Sequence, residues 1–177
     1  MLTFESPQFE DRQWAQPLLD AQASPACEYS FASIYLWSRA WPQKIARCGG
    51  SLLVQIQGKL GLSYLCPAGS GPLAPAVDAL AEDAAAHGLP LTLVCVTEEQ
   101  RAALEEACPG RFAFEEDRDG FDYLYDINRL ADLPGKKLHA KRNHIRRFDD
   151  QFPDWLLEDI TPANVPECVE LERQWAA

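Results

Sequence analysis

The sequence predicts an α/β or α+β fold with a mixed sheet. Three observations predict it. Short apolar segments of strand length are interleaved with stretches whose apolar residues recur every three or four positions. Glycines, prolines and N-capping residues punctuate the boundaries. Hydrophobic residues make up 47% of 177 residues, enough for a packed core in one domain, or in one domain with part of another.

The elements follow in order. Phe9, Trp14, Leu18 and Leu19 among polar residues predict a helix over 9–24. Phe31, Ile34, Tyr35, Trp37 and Trp41 predict an amphipathic helix over 30–41, which Pro42 ends. Aromatics at this spacing read as core before they read as a ligand cage. Gly49-Gly50 is a turn. Residues 51–57 alternate as a strand, Gly58 breaks it, and 60–66 form the partner strand of a hairpin. Residues 67–72 are a glycine-rich loop, and 73–87 an alanine-rich helix closed by Gly88. The wholly apolar run 91–96 reads as a strand suited to a sheet centre. Thr97 caps a helix running to Cys108, where Pro109-Gly110 stops it. Residues 112–114 and 121–125 read as strands around the acidic turn 115–120. A basic helix spans 135–148, a strand 155–160 and a final helix 165–177. This last strand and helix read as the opening of a second unit in a longer chain, or as elements docked on the first.

Composition narrows the function classes. The formal net charge is -11 and the pI about 4.6, which sets the surface as a whole against polyanions. No apolar run reaches the roughly 20 residues of a membrane span. The N-terminus lacks the basic start and apolar centre of a signal peptide, so a cytoplasmic location is expected. No two of the six cysteines lie closer than 13 positions, and the three histidines form no ligand signature. No metal and no cofactor are expected, and the cysteines read as free thiols in the core.

Against that acidic background, residues 136–147 hold six cations and no carboxylate, leaving ten cations against 27 carboxylates elsewhere. Like charges at i,i+4 repel by about 0.2–0.5 kcal/mol a pair. The run is therefore either a solvated helix face with internal ion pairs or an anion-binding element. On a helical wheel Leu138, Ile145 and Phe148 form a narrow apolar face. Lys141 falls within its arc, and Lys137 and Arg142 flank it. Lys136, Asn143 and Arg147 point away. Cations near a core boundary need partners. Asp122 is one candidate, and a bound phosphate or carboxylate is another. Asp122 also reads as a turn residue or a general base. The loop Gly69-Ser70-Gly71 stands between a strand and a helix, as a phosphate cradle would. It lacks the P-loop and dinucleotide fingerprints, and Pro67 and Pro72 remove two donors, so a plain turn is the preferred reading.

Four segments carry a resemblance: Phe31-Ala-Ser-Ile-Tyr-Leu-Trp37, Tyr64-Leu-Cys-Pro-Ala-Gly69, Phe121-Asp-Tyr-Leu-Tyr125 and Leu133 to Phe148 with its Gly-Lys-Lys and Lys-Arg-Asn-His elements. In this order they resemble a family of bacterial proteins related to the C-terminal domain of phosphatidylglycerol lysyltransferase. The resemblance covers about residues 28–160. It implies a GNAT-like fold, a mixed and mostly antiparallel sheet flanked by helices, with two such domains in tandem. Residues 1–153 would be the first, and 154–177 the opening strand and helix of a second. It also implies an activity class, an aminoacyl or acyl transferase: transfer of an aminoacyl group from charged tRNA to a lipid or other acceptor. The candidate anion-binding residues are Lys136, Lys137, Lys141, Arg142, Asn143 and Arg146, facing an aminoacyl-tRNA or an anionic lipid headgroup. Asp122 and His144 are the candidate catalytic bases. The alternatives are an acyl-CoA-dependent N-acyltransferase, whose pyrophosphate-gripping loop is absent from this segment, and a non-catalytic domain with the basic helix at an interface.

Overall fold

A computed structural model describes residues 2–58 and 61–176. The chain divides into two compact units, Met1–Asp122 and Tyr123–Ala177.

The first unit is a five-stranded sheet with helices on both faces. A single 3-10 turn, Phe9–Asp11, leads into α1 (Arg12–Gln22), and Ser30 caps α2 (Phe31–Trp37) through its hydroxyl and the Ser33 N–H. Strands β1 (Gln43–Cys48), β2 (Ser51–Gly58) and β3 (Gly61–Leu65) then form an antiparallel meander. Strand β1 is not among those the sequence predicts, because Lys44 and Arg47 interrupt its apolar signal. It carries Ile45 and Ala46 into the core on opposite faces. The N-terminal segment pairs with it at Glu5 and Ile45. Leu60, expected in β3, lies outside the described residues.

After β3 the chain stays beside β2 as β4 (Ala68–Gly69). The partner register slips by one residue between Tyr64↔Gln55 and Ala68↔Leu52. One extra residue is therefore accommodated near Pro67, which has no N–H to give to the ladder. Helix α3 (Leu73–Ala86) crosses to β5 (Leu93–Val94), which pairs parallel with β3. The apolar run expected at the sheet centre lies instead at the end of the strand order β1-β2-β3-β5, and only two of its residues pair. Cys95 (φ 55°) turns the chain off the ladder. Helix α4 (Glu98–Ala107) follows, started by a reciprocal capping box between Thr97 and Gln100.

Alternation along the strands divides the core. Ile45, Leu52, Val54 and Leu65 face α1, α2 and α4 through Ala15, Leu19, Phe31, Ile34 and Leu104. Ala46, Leu53 and Tyr64 face Ala76, Leu80 and Ala84 of α3. The Asp83 carboxylate, on α3, accepts hydrogen bonds from the Tyr64 hydroxyl (2.6 Å) and the Gln55 amide (2.8 Å), so the polar atoms buried on that face are satisfied.

Two expected strands do not form. Residues 112–114 and 121–125 are irregular, with a 3-10 turn at Arg118–Gly120 between them. Phe112 and Phe114 pack their rings on the core without a ladder partner, which shows aromatic alternation reporting burial rather than pairing.

The second unit contains α5 (Ile127–Asp132), α6 (His139–Gln151) and α7 (Val165–Ala176), with a 3-10 turn at Lys136–Leu138 running into α6. Helix α5 is not predicted by the sequence; Asp126 caps it through the Arg129 N–H. The strand expected at 155–160 is irregular backbone with no ladder partner among the described residues, and Leu157 is 90% exposed.

Candidate functional site

In the first unit, a cleft of about 520 Å³ opens beside the point where β3 and β5 part. Its wall is apolar: Ile34 and Trp37 of α2, Trp41 after it, Ile56, Leu65 and Val94 of the sheet. The size falls in the range of small-molecule sites. Spacing alone assigns the α2 aromatics to the core. Phe31 and Ile34 are there, whereas Trp37 and Trp41 are half-exposed along this cleft.

Cys27, Glu28 and Cys95 form the polar part of the cleft lining. Asp122 joins them from the far end of the unit. Its Oδ2 accepts the Cys27 backbone N–H at 3.2 Å, and its Oδ1 lies 3.8 Å from the Cys27 Sγ. Partial burial raises the Cys27 thiol above its ordinary range, and the Glu28 and Asp122 carboxylates add to the rise. At Cys95, withdrawal from water and the nearby Glu28 carboxylate push the thiol up to about 12. Asp122 is thus held by Cys27, and no ion pair involves it among the described residues. The sequence gives no signal for this group, because the Cys27 and Asp122 partners are 95 positions apart.

The glycine-rich loop is a packed turn. The N–H groups of Ser70 and Gly71 both donate to the Gly50 carbonyl at 3.2 Å, so neither is free for an anion. Gly69 (φ 132°) sits so close that an added Cβ would collide with the Gly50 carbonyl oxygen, and one on Gly71 would meet the Ser51 hydroxyl.

In the second unit, the cations of the 136–147 run make no ion pair among the described residues. Lys136, Lys137, Lys141, Arg146 and Arg147 are exposed. Lys137 and Lys141, placed by the wheel near a packed face, are in solvent because the apolar stripe behind them is itself open: Ile145 is 51% and Phe148 47% exposed. Arg142 is the one half-buried cation. Its Nη1 donates to the Leu133 carbonyl and to the Gly135 carbonyl (2.9 Å), tying the left-handed end of α5 to α6. Asn143 is half-buried beside His139, its Nδ2 3.4 Å from the ring nitrogen. His144 is exposed and makes no side-chain hydrogen bond among the described residues.

Helix α6 begins without a side-chain cap and without an acid in its first turn. Its carboxylates, Asp149 and Asp150, stand at the other end. This polarity opposes the helix dipole, which favours anions at the N-terminus and cations at the C-terminus by about 0.3–1 kcal/mol each. Cations without ion-pair partners among the described residues therefore lie at the positive end of the helix, whose entry is closed by the 3-10 turn (His139 N–H to the Lys136 carbonyl) rather than by an acidic side chain.

Residues 21–177 match the family described as phosphatidylglycerol lysyltransferase, C-terminal. No protein of curated function matches the chain. The chain is similar to a conserved protein of unknown function from Bacteroides thetaiotaomicron VPI-5482, whose crystal structure aligns with a TM-score of 0.82 at 34% identity. The alignment covers 99% of this chain and 59% of that one, so the chain spans well under two thirds of that relative. No helix among the described residues is long and apolar enough to cross a membrane. With the match running from α1 to the last residue, the chain belongs to the family of the phosphatidylglycerol lysyltransferase C-terminal domain.

Proposed function

We propose that the chain is part of an aminoacyl transferase that takes its donor from charged tRNA and passes it to a lipid or similar apolar acceptor. The observation that carries this is the basic run leading into α6, whose cations make no ion pair among the described residues and are concentrated toward the helix end where the dipole disfavours them. An acidic protein that keeps such a run unneutralised has a local site for phosphate. Lys136, Lys137, Lys141 and Arg146 supply the mobile charge, and Arg142 and Asn143 hold the helix start in place. The exposed His144 imidazole is the proposed proton acceptor for an attacking hydroxyl. The apolar cleft of the first unit supports an acceptor with an acyl body. GNAT-like tandem architecture, with 1–153 as the first domain and 154–177 opening the second, belongs to the same proposal.

The test is binding of tRNA, and separately of phosphatidylglycerol vesicles, to the full-length protein. Lys137→Ala, Lys141→Ala and Arg146→Ala together should weaken binding tenfold or more. They should also flatten the salt dependence between about 50 and about 200 mM by nearly one unit of log–log slope per lost phosphate contact. Arg142 is left intact because its loss would disturb the fold. Binding absent at low salt, or unchanged in the triple variant, would overturn the reading.

A further inference from the structure

We infer that Cys27, Glu28 and Asp122, with Cys95 beside them, form a binding site for a zinc-class divalent ion at the polar end of the first unit's cleft. This inference uses none of the residues of the basic helix, and it shares with the transferase reading only the cleft itself.

The donor atoms of Cys27, Glu28 and Asp122 lie within 4.8 Å of one another. A point central to three such atoms is at most about 2.8 Å from each, so a movement of about half an ångström per side chain reaches zinc bond lengths of about 2.0–2.3 Å. One edge already fits. A tetrahedral ion with a thiolate at about 2.3 Å and a carboxylate at about 2.1 Å sets them about 3.6 Å apart, and the Cys27 Sγ and Asp122 Oδ1 are 3.8 Å apart. The other oxygen of Asp122 is held by the Cys27 N–H at 3.2 Å, an outer hydrogen bond of the kind that orients metal-binding carboxylates.

A second thiol separates this group from an ordinary acidic surface. Cys95 comes from a different part of the sheet, at the left-handed residue after β5, and its side chain lines the same cleft as Cys27 and Glu28. Two separate segments therefore bring one sulfur and two carboxylates together, a third adds the Cys95 thiol to the same cleft lining, and no ion pair among the described residues neutralises either carboxylate. Sulfur donors select zinc and cobalt over magnesium and calcium, which prefer all-oxygen shells. Cys27, Glu28 and Cys95 also line the cleft, so a position on the ion not taken by protein would face it.

Cobalt(II) and zinc chlorides are the probes, added to the reduced, chelator-treated full-length protein. One equivalent of cobalt should produce thiolate-to-metal charge-transfer absorption in the near ultraviolet, and zinc should abolish it while excess magnesium does not. Cys27→Ser should remove most of that absorption, and the Cys27→Ser, Cys95→Ser pair all of it. Asp122→Asn, which keeps both sulfurs, should weaken zinc binding tenfold or more in calorimetry with an unchanged circular dichroism spectrum. Cys168→Ser, in the second unit, should behave as wild type. The assignment is overturned if cobalt gives no saturable thiolate band, if the band persists in Cys27→Ser, or if Asp122→Asn binds zinc as tightly as wild type.

Discussion

Gly69 shows at the scale of one residue why the glycine loop is the plain turn that the sequence favours. Glycines between a strand and a helix suggest an anion cradle, yet here the loop N–H groups are spent on the Gly50 carbonyl, and the missing side chain is what lets the two turns touch. Gly69→Ala should destabilise the protein by about 2 kcal/mol or more, through a backbone conformation that L residues avoid and a collision with a carbonyl that cannot yield. A urea midpoint within error of wild type would contradict this. Asp83 is the opposite case, a charged residue whose value lies in the core. It satisfies Tyr64 and Gln55 at once, a role hidden in the sequence because the three residues belong to different elements.

At the scale of elements, the basic helix was legible from charge alone, but its internal division was not. The wheel puts Lys137, Lys141 and Arg142 together. The structure keeps only Arg142 inward, because its long side chain brings one terminal nitrogen, with two N–H groups, to two carbonyls at the α5–α6 corner. Arg142→Ala should cost about 1–2 kcal/mol and speed amide exchange in α5 and the start of α6, with Arg142→Lys recovering part of the loss. Exchange rates unchanged in the alanine variant would show that the corner does not depend on this side chain. Helices were more legible than strands. The cap at Thr97 falls where the sequence places it, since capping is chemistry within a few residues. The expected strands at 112–114, 121–125 and 155–160 have strand composition but no ladder partner among the described residues, and β1 has a neighbour despite its charges.

At the scale of the whole molecule, stability should depend on pH in one direction above neutrality. Burial pushes the Cys66 thiol from 9.0 up to about 12. Burial also raises the Tyr29 and Tyr64 phenols, with the Asp83 carboxylate adding to the effect at Tyr64. These groups stay protonated in the folded chain where the unfolded chain has released its protons. Their stabilising contribution is therefore complete below about pH 9 and is lost as pH rises toward about 12. The urea midpoint should fall between about pH 8 and about pH 10.5, and a constant midpoint would contradict the assignment. What the sequence determined by itself was the mixed α/β class, the family, most helices and the existence of a basic run, because periodicity, caps and charge density are properties of neighbouring residues. What only the tertiary structure decided was the strand order, the inward turn of Arg142 and the meeting of Cys27 and Glu28 with Asp122. Each of these depends on contacts between segments far apart in the chain, whose register is set by packing and backbone pairing rather than by local preference.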